Sequence, residues 1–274
     1  MGVTSLERYL DNQLIKGRAY FSREEALATL AVKPGALTAA ITRLIGKQRL
    51  ANPRHGFYLI LRPEDQIAGA PEPARWIDPL MKHQGIDYRV SLLRAAALHG
   101  SSHQASMVFQ VVVPKQLRPI AIGRHRVQFI YQSPTIFAKT NKRNWLVQLK
   151  TDAGYAKAAG IELTMLDCVR YFRKATGIDG IAQIIKDLGG SADPKSLAAA
   201  AAHYENACVR RLGYLLELAG HTRQAKALAR FVGQAKVAIP LDPSVKALSK
   251  ALAHVHEKNA RWMLILNARV ETDF

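Results

Sequence analysis

The sequence predicts an α+β protein: an N-terminal winged helix-turn-helix, then a mixed α/β domain with a helical C-terminal part. Three features of the chain lead there. Apolar residues recur at helical spacing in residues 6–45 and again from about residue 162. Stretches rich in Val, Ile and aromatic residues lie between these regions, and no regular βαβ alternation links them. The expected division is a first domain over 1–62, a linker over 63–73 rich in Pro, Gly, Glu and Asp, and a second domain over 74–274.

In the first domain, Leu6 to Ile15 is periodic and closes at Gly17. A second helix begins with Ser22 as N-cap and Glu25 three residues on, the spacing of a capping box, and runs to about Ala31. Lys33-Pro34-Gly35 then opens a third helix, with Pro34 suited to a first turn where its missing N–H has no partner to lose. Leu37, Ile41, Leu44 and Ile45 share one face of it, so all four are expected in the core. Arg49 to Asn52 and Gly56 to Leu61 alternate as two strands around Pro53-Arg54-His55-Gly56.

Three helices with a short second turn, followed at once by a hairpin, give the order of a winged helix-turn-helix. The third helix then becomes the candidate reader of duplex DNA. Thr38, Ala39, Thr42 and Arg43 lie opposite its apolar face, and Arg can donate two bonds to guanine O6 and N7. The candidate DNA-binding residues are Lys33, Thr38, Thr42, Arg43, Lys47 and Arg49, with Arg54 and His55 at the wing.

Charge agrees with a polyanionic partner. The chain carries 39 Lys and Arg against 21 Asp and Glu, a formal net charge of +18. Residues 1–62 hold ten Lys and Arg against four Asp and Glu, and residues 63–164 and 165–274 each carry the same excess of six. Cations that neutralise phosphates release counterions, which favours nucleic acid. A hydrophobic content of 49% with 22% charged residues excludes a disordered chain. No apolar run approaches the roughly 18 residues of a membrane span, and Glu7 and Asp11 interrupt the N-terminus, so a cytoplasmic protein is expected.

Beyond the linker, Tyr88 to His99 reads as a helix ending at Gly100. Met107 to Val113 and Arg126 to Tyr131 read as strands around a basic loop over 115–124, and Trp145 to Leu149 as a further strand. Lys139, Lys142 and Arg143 beside Trp145 are possible additional nucleic-acid contacts. Leu197 to Ala219 reads as one long amphipathic helix closed by Gly220, a further helix starts near Thr222, and Trp262 to Val270 suits a strand returning to the second domain's sheet.

No catalytic, metal or cofactor site is expected. His99 and His103 are four apart but Gly100 separates them, and His254 and His256 lack a third ligand. Glu162 and Asp167 are five apart and face different sides of a helix, which fits helix-start capping and ion pairing better than a carboxylate pair. Cys168 and Cys208 suit buried thiols. Phosphate-cradling loops and nucleophile motifs are absent.

Four stretches give a further lead: GFYLIL at 56–61, YRVSLLRAAALHG at 88–100, the E-x-T-x-L-D pattern at Glu162, Thr164, Leu166 and Asp167, and RRLGYLLELAG at 210–220. In combination they resemble the type IV AbiEi-family antitoxins, in which a winged-helix reader precedes an antitoxin domain. One departure is Ala159-Gly160-Ile161, where relatives often carry Ser or Pro ahead of the Glu. The resemblance implies a transcriptional autorepressor that binds repeats in its own promoter DNA and counteracts a nucleotidyltransferase-like toxin without forming a stable complex with it. The residues alone leave open an RNA-binding regulatory protein, or a DNA reader fused to a nuclease without a recognisable motif.

Overall fold

The computed structural model describes residues 5–101, 108–151, 153–245 and 257–271. The fold is α+β. It opens with α1 (Ser5–Ile15), β1 (Tyr20–Ser22), α2 (Arg23–Leu30), α3 (Pro34–Gly46), β2 (Leu50–Arg54) and β3 (Phe57–Ile60). There follow α4 (Pro63–Gln66), α5 (Ile77–His83), β4 (Arg89–Val90), α6 (Leu92–Leu98), β5 (Val108–Val113), β6 (Ile120–Ile122), β7 (His125–Tyr131), α7 (Pro134–Thr140), β8 (Leu146–Thr151) and β9 (Gly154–Ala159). The remainder comprises α8 (Ile161–Arg170), α9 (Gly177–Gly189), α10 (Pro194–Ala201), α11 (Asn206–Leu218), α12 (Thr222–Leu228), β10 (Ile239–Pro240), β11 (Lys258–Asn259) and β12 (Leu264–Ile265).

Two compact units emerge, each assembled from separated segments. The first gathers residues 1–89, 107–132 and 148–157, and the second residues 90–106, 133–147 and 158–274. The divisions expected at 62 and 74 both fall inside the first unit. The expected linker is structured: it contains α4, and Asp65 and Ala70 within it are buried.

In the first unit, β1 joins the hairpin as a third antiparallel strand, in the order β1-β3-β2. Only three residues long, β1 lacks the alternation that marks a strand in sequence. One core holds these elements together: Leu6, Leu10, Phe21, Leu37, Ile41, Leu44, Leu50, Tyr58 and Ile60 are all buried. The Phe21 ring meets Tyr9 edge-on and stacks on Tyr58, with centroids 5.6 and 5.2 Å away. Ile45, expected in that core, is 40% exposed, because the penultimate residue of α3 projects past the end of the apolar face. The Ser22 capping box forms as expected, with Ser22 Oγ accepting Glu25 N–H and Glu25 Oε2 accepting Ser22 N–H.

A six-stranded sheet has the order β6-β7-β5-β4-β9-β8. Within it β5 and β7 run parallel in unbroken register from Val108↔Arg126 to Val113↔Tyr131, and β6 pairs antiparallel with β7. The basic loop over 115–124 thus contains a strand of its own.

The second unit corrects several expectations. The helix expected over 88–99 is a short strand, β4, followed by α6, because Ser91 is extended and Leu92 takes a left-handed φ of 54°. The long helix expected over 197–219 breaks into α10 and α11, and the intervening turn carries the Tyr204 hydroxyl to Asp167. Trp145 ends a 3-10 turn, buried, and the strand starts after it. Of the strand expected over 262–270 only Leu264–Ile265 forms, and it pairs with β10 and β11 in a separate three-stranded sheet. Trp262 and Met263 precede it in a turn, with Met263 at a φ of 50°. Among the described residues, no helix is long and apolar enough to cross a membrane.

Candidate nucleic-acid interface

The candidate reader, α3, is fixed from both sides of its sequence pattern. Leu37, Ile41 and Leu44 bury its inner face, each leucine-sized side chain contributing about 1.5–3 kcal/mol, and Pro34 occupies its first turn. The turn before it is braced by Arg23, whose guanidinium donates to Pro34 O at 3.3 Å. This leaves Gly35, Thr38, Ala39, Thr42, Arg43 and Gly46 along the outer face, all exposed. Lys33 and Lys47 stand exposed at its two ends. Both threonine hydroxyls donate to their own helix, Thr38 to Pro34 O at 2.9 Å and Thr42 to Thr38 O at 3.0 Å. Their methyl groups and oxygen lone pairs remain for a ligand. Arg43 sits in the last turn of the helix.

The other first-domain candidates are placed less uniformly. Arg49 is half-buried and faces Asp11 at 3.7 Å. His55 is exposed at the hairpin tip, next to Gly56, whose φ of 77° the tight turn requires. Asn52 Nδ2 clamps this turn by donating to the carbonyls of Arg54 and Phe57 at 2.6 and 2.7 Å. The register shifts between Ala51 and Arg54, and a bulge of this kind re-aims the side chains beyond it. Arg54 accordingly turns to its own unit: its guanidinium donates to Arg118 O and lies 5.7 Å from the Phe129 ring centroid. Burial, and then the nearby Arg118 guanidinium, push the Arg54 guanidinium below its ordinary range.

In the second unit, Lys139, Lys142 and Arg143 are exposed, whereas Trp145 is buried. The indole N–H of Trp145 donates to Ser196 Oγ at 3.1 Å, and its ring meets His203 edge-on with centroids 5.9 Å apart. That ring is core and does not offer a stacking platform. Gly160, at the departure from the AbiEi pattern, donates its N–H to Trp145 O at 2.8 Å, and a Cβ there would lie 3.0 Å from that oxygen. A side chain here would press on that carbonyl, so the close approach favours a glycine.

The remaining polar candidates are structural. Glu162 Oε1 accepts the Asp193 N–H at 3.1 Å. Asp167 lies in the second half of α8, away from the helix start where capping was expected, and its carboxyl accepts the hydroxyls of Ser91 and Tyr204. His99 Nε2 hydrogen-bonds Ala159 O at 2.8 Å, while His103, His254 and His256 lie outside the described residues. Cys168 and Cys208 are free and buried, and burial pushes both thiols far above their ordinary range. Among the described residues, no group of three or more His, Cys, Asp or Glu is arranged to hold a metal.

Comparison with known proteins agrees with this architecture. Over 94% of its length the chain superposes on 89% of the crystal structure of the RV2827C protein from Mycobacterium tuberculosis, with a TM-score of 0.66 and 14% identity. At that identity the likeness is one of fold. No curated protein matches the chain. Residues 89–218, which span Tyr204, Asp167 and the Arg210–Leu218 stretch, match the AbiEi antitoxin C-terminal domain. The chain thus carries, over these residues, an AbiEi antitoxin C-terminal domain.

Proposed function

We propose that this protein is a sequence-specific DNA-binding transcriptional autorepressor that serves as the antitoxin of a type IV toxin-antitoxin system. The antitoxin role rests on the AbiEi domain over 89–218. The DNA-binding role rests on the outer face of α3. The order α1-β1-α2-α3-β2-β3 fits a winged helix-turn-helix, with α3 as the helix that enters the major groove. Apart from Arg43, its groove-facing stripe is built of Gly, Ala and Thr, small residues that let the helix approach base edges. Lys33 and Lys47 are about 21 Å apart at a rise of 1.5 Å per residue, which exceeds the groove's width of about 12 Å and suits contact with the phosphates on both rims.

In this reading Arg43 and the threonine methyls read bases, Lys33, Lys47 and His55 contact phosphates, and the partner toxin is a nucleotidyltransferase-like protein that the antitoxin opposes without a stable complex. The regulator acts by binding and not by catalysis. Titration of the protein's own promoter duplex, followed by fluorescence anisotropy, tests the core of this. Arg43→Ala should cost about 1–3 kcal/mol and relax base preference, whereas Lys33→Ala should weaken all duplexes alike. Tighter binding to structured RNA than to promoter DNA would favour an RNA-binding regulator instead.

A further inference from the structure

A second basic element in the first unit goes beyond the helix and wing. From Tyr88 to Thr151 the chain has no Asp or Glu but ten Lys and Arg. Four of these, Lys115, Arg118, Arg124 and Arg126, belong to the β6–β7 hairpin and its lead-in, and all four are exposed. Among the described residues no ion pair involves any of them. A solvated surface usually intersperses both signs; this stretch supplies only one, and in the 63–73 segment packed against the hairpin Glu64 pairs with Arg62 and Asp65 with Arg75.

The hairpin is also held in place. Arg54, on the candidate wing, donates to Arg118 O and lies over Phe129 of β7. Arg124 N–H donates to Ala68 O at 2.8 Å, and His125 Nε2 hydrogen-bonds Ala70 O at 2.9 Å. The backbones of Gly69 and Gly123 touch, and a Cβ on Gly123 would stand 2.0 Å from Ala68 O. Arg54 also feels the repulsion of the Arg118 charge, and among the described residues neither side chain ion-pairs with a carboxylate, an arrangement that an anion relieves.

We propose that the β6–β7 hairpin, docked on the wing through Arg54, is a second DNA-contacting element in which Lys115, Arg118 and Arg124 bind backbone phosphates of duplex DNA. Arg126 stays folded on the turn, donating to Gly123 O and His125 O. The proposal rests on the DNA-binding reading and enlarges its footprint beyond the groove that α3 occupies. Backbone contacts carry no sequence information, so the hairpin adds affinity and salt dependence and leaves base preference to α3.

The test measures promoter-duplex affinity by anisotropy between 50 and 200 mM salt for the full chain and two variants. Each phosphate contact contributes about 0.9 to the slope of log affinity against log salt, so the triple variant Lys115→Gln, Arg118→Gln, Arg124→Gln should lower the slope by about 2.7, equivalent to roughly 40-fold over this range. It should keep the wild-type ranking of mutated duplexes, whereas Arg43→Ala should change that ranking. A wild-type slope in a folded triple variant overturns the hairpin contact while leaving the α3 reading intact. Should the triple variant not fold, hydroxyl-radical footprinting of the wild-type complex decides: protection confined to the phosphates flanking one major-groove contact overturns the proposal. Failure of the wild-type chain to bind any duplex overturns the underlying reading and this proposal together.

Discussion

The Tyr204 hydroxyl donates to Asp167 Oδ1 at 2.7 Å, joining the turn between α10 and α11 to the middle of α8. Ser91 Oγ donates to the other carboxyl oxygen, also at 2.7 Å. Ser91 leads into Leu92, fully buried at a φ of 54°, a conformation that costs about 1–3 kcal/mol unless its surroundings impose it. Asp167→Ala deprives both buried hydroxyls of this acceptor, at about 1–3 kcal/mol each. Urea unfolding should therefore show a loss of about 3 kcal/mol, and Tyr204→Phe a smaller one of about 1 kcal/mol. Wild-type stability in Asp167→Ala would remove this carboxyl as the anchor of the family domain.

Gly213 lies in the Arg210–Leu218 stretch and faces the Trp262 ring. A Cβ on Gly213 would stand 2.1 Å from a ring carbon, and Trp262 is fully buried with its indole N–H on Glu217. Gly213→Ala should destabilise the protein by about 1–3 kcal/mol through overpacking. All three tryptophans are buried in the native chain, so displacement of Trp262 should appear as a red shift of the intrinsic emission. An unshifted spectrum with unchanged stability would falsify this account of the glycine.

The capping box at α2 makes a pH-dependent prediction. Burial opposes ionisation of Glu25, but the Ser22 N–H and the Arg18 guanidinium, both at 2.9 Å, outweigh it and hold the carboxyl below its ordinary 4.5. A carboxyl depressed by folding adds stability above its unfolded value and loses it as the pH falls through the folded one. The stability difference between wild type and Glu25→Gln should thus be fully present at neutral pH and close below about pH 4.5. Ser22→Ala should cost about 1 kcal/mol at pH 7. Thermal melts of the three proteins from pH 7 to pH 3 check both, and a difference that widens on acidification would contradict the sign.

Local chemistry was legible where it acts locally. The Ser22–Glu25 box, Pro34 at the start of α3 and the apolar positions Leu37, Ile41 and Leu44 need only neighbours within a few residues, and each took its expected place. Misreadings arose where a distant partner decides the path. Helical periodicity over 197–219 is real on both sides of Tyr204, but the chain breaks there to reach a carboxyl 37 residues earlier in sequence. Residues 88–99 likewise look helical until Ser91 is drawn to Asp167. In the candidate interface, the exposure of Thr38, Thr42 and Arg43 followed from helix geometry, whereas the inward turn of Arg54 depends on a bulge and on Phe129, 75 positions along. The absence of carboxylates from 88 to 151 was a sequence signal that composition by thirds averaged away.

The three-segment assembly of the first unit sets a schedule for synthesis. Residues 1–62 emerge from the ribosome early, but the hairpin that receives Arg54 comes from 107–132 and the last segment ends at residue 157. At about 5–20 residues per second, some five to twenty seconds separate the two events. A nascent chain stalled or cleaved before residue 107 carries the β2–β3 turn without the hairpin that receives Arg54, so fragments are poor stand-ins for the intact protein. The docking of Arg54 thereby becomes a late event of translation.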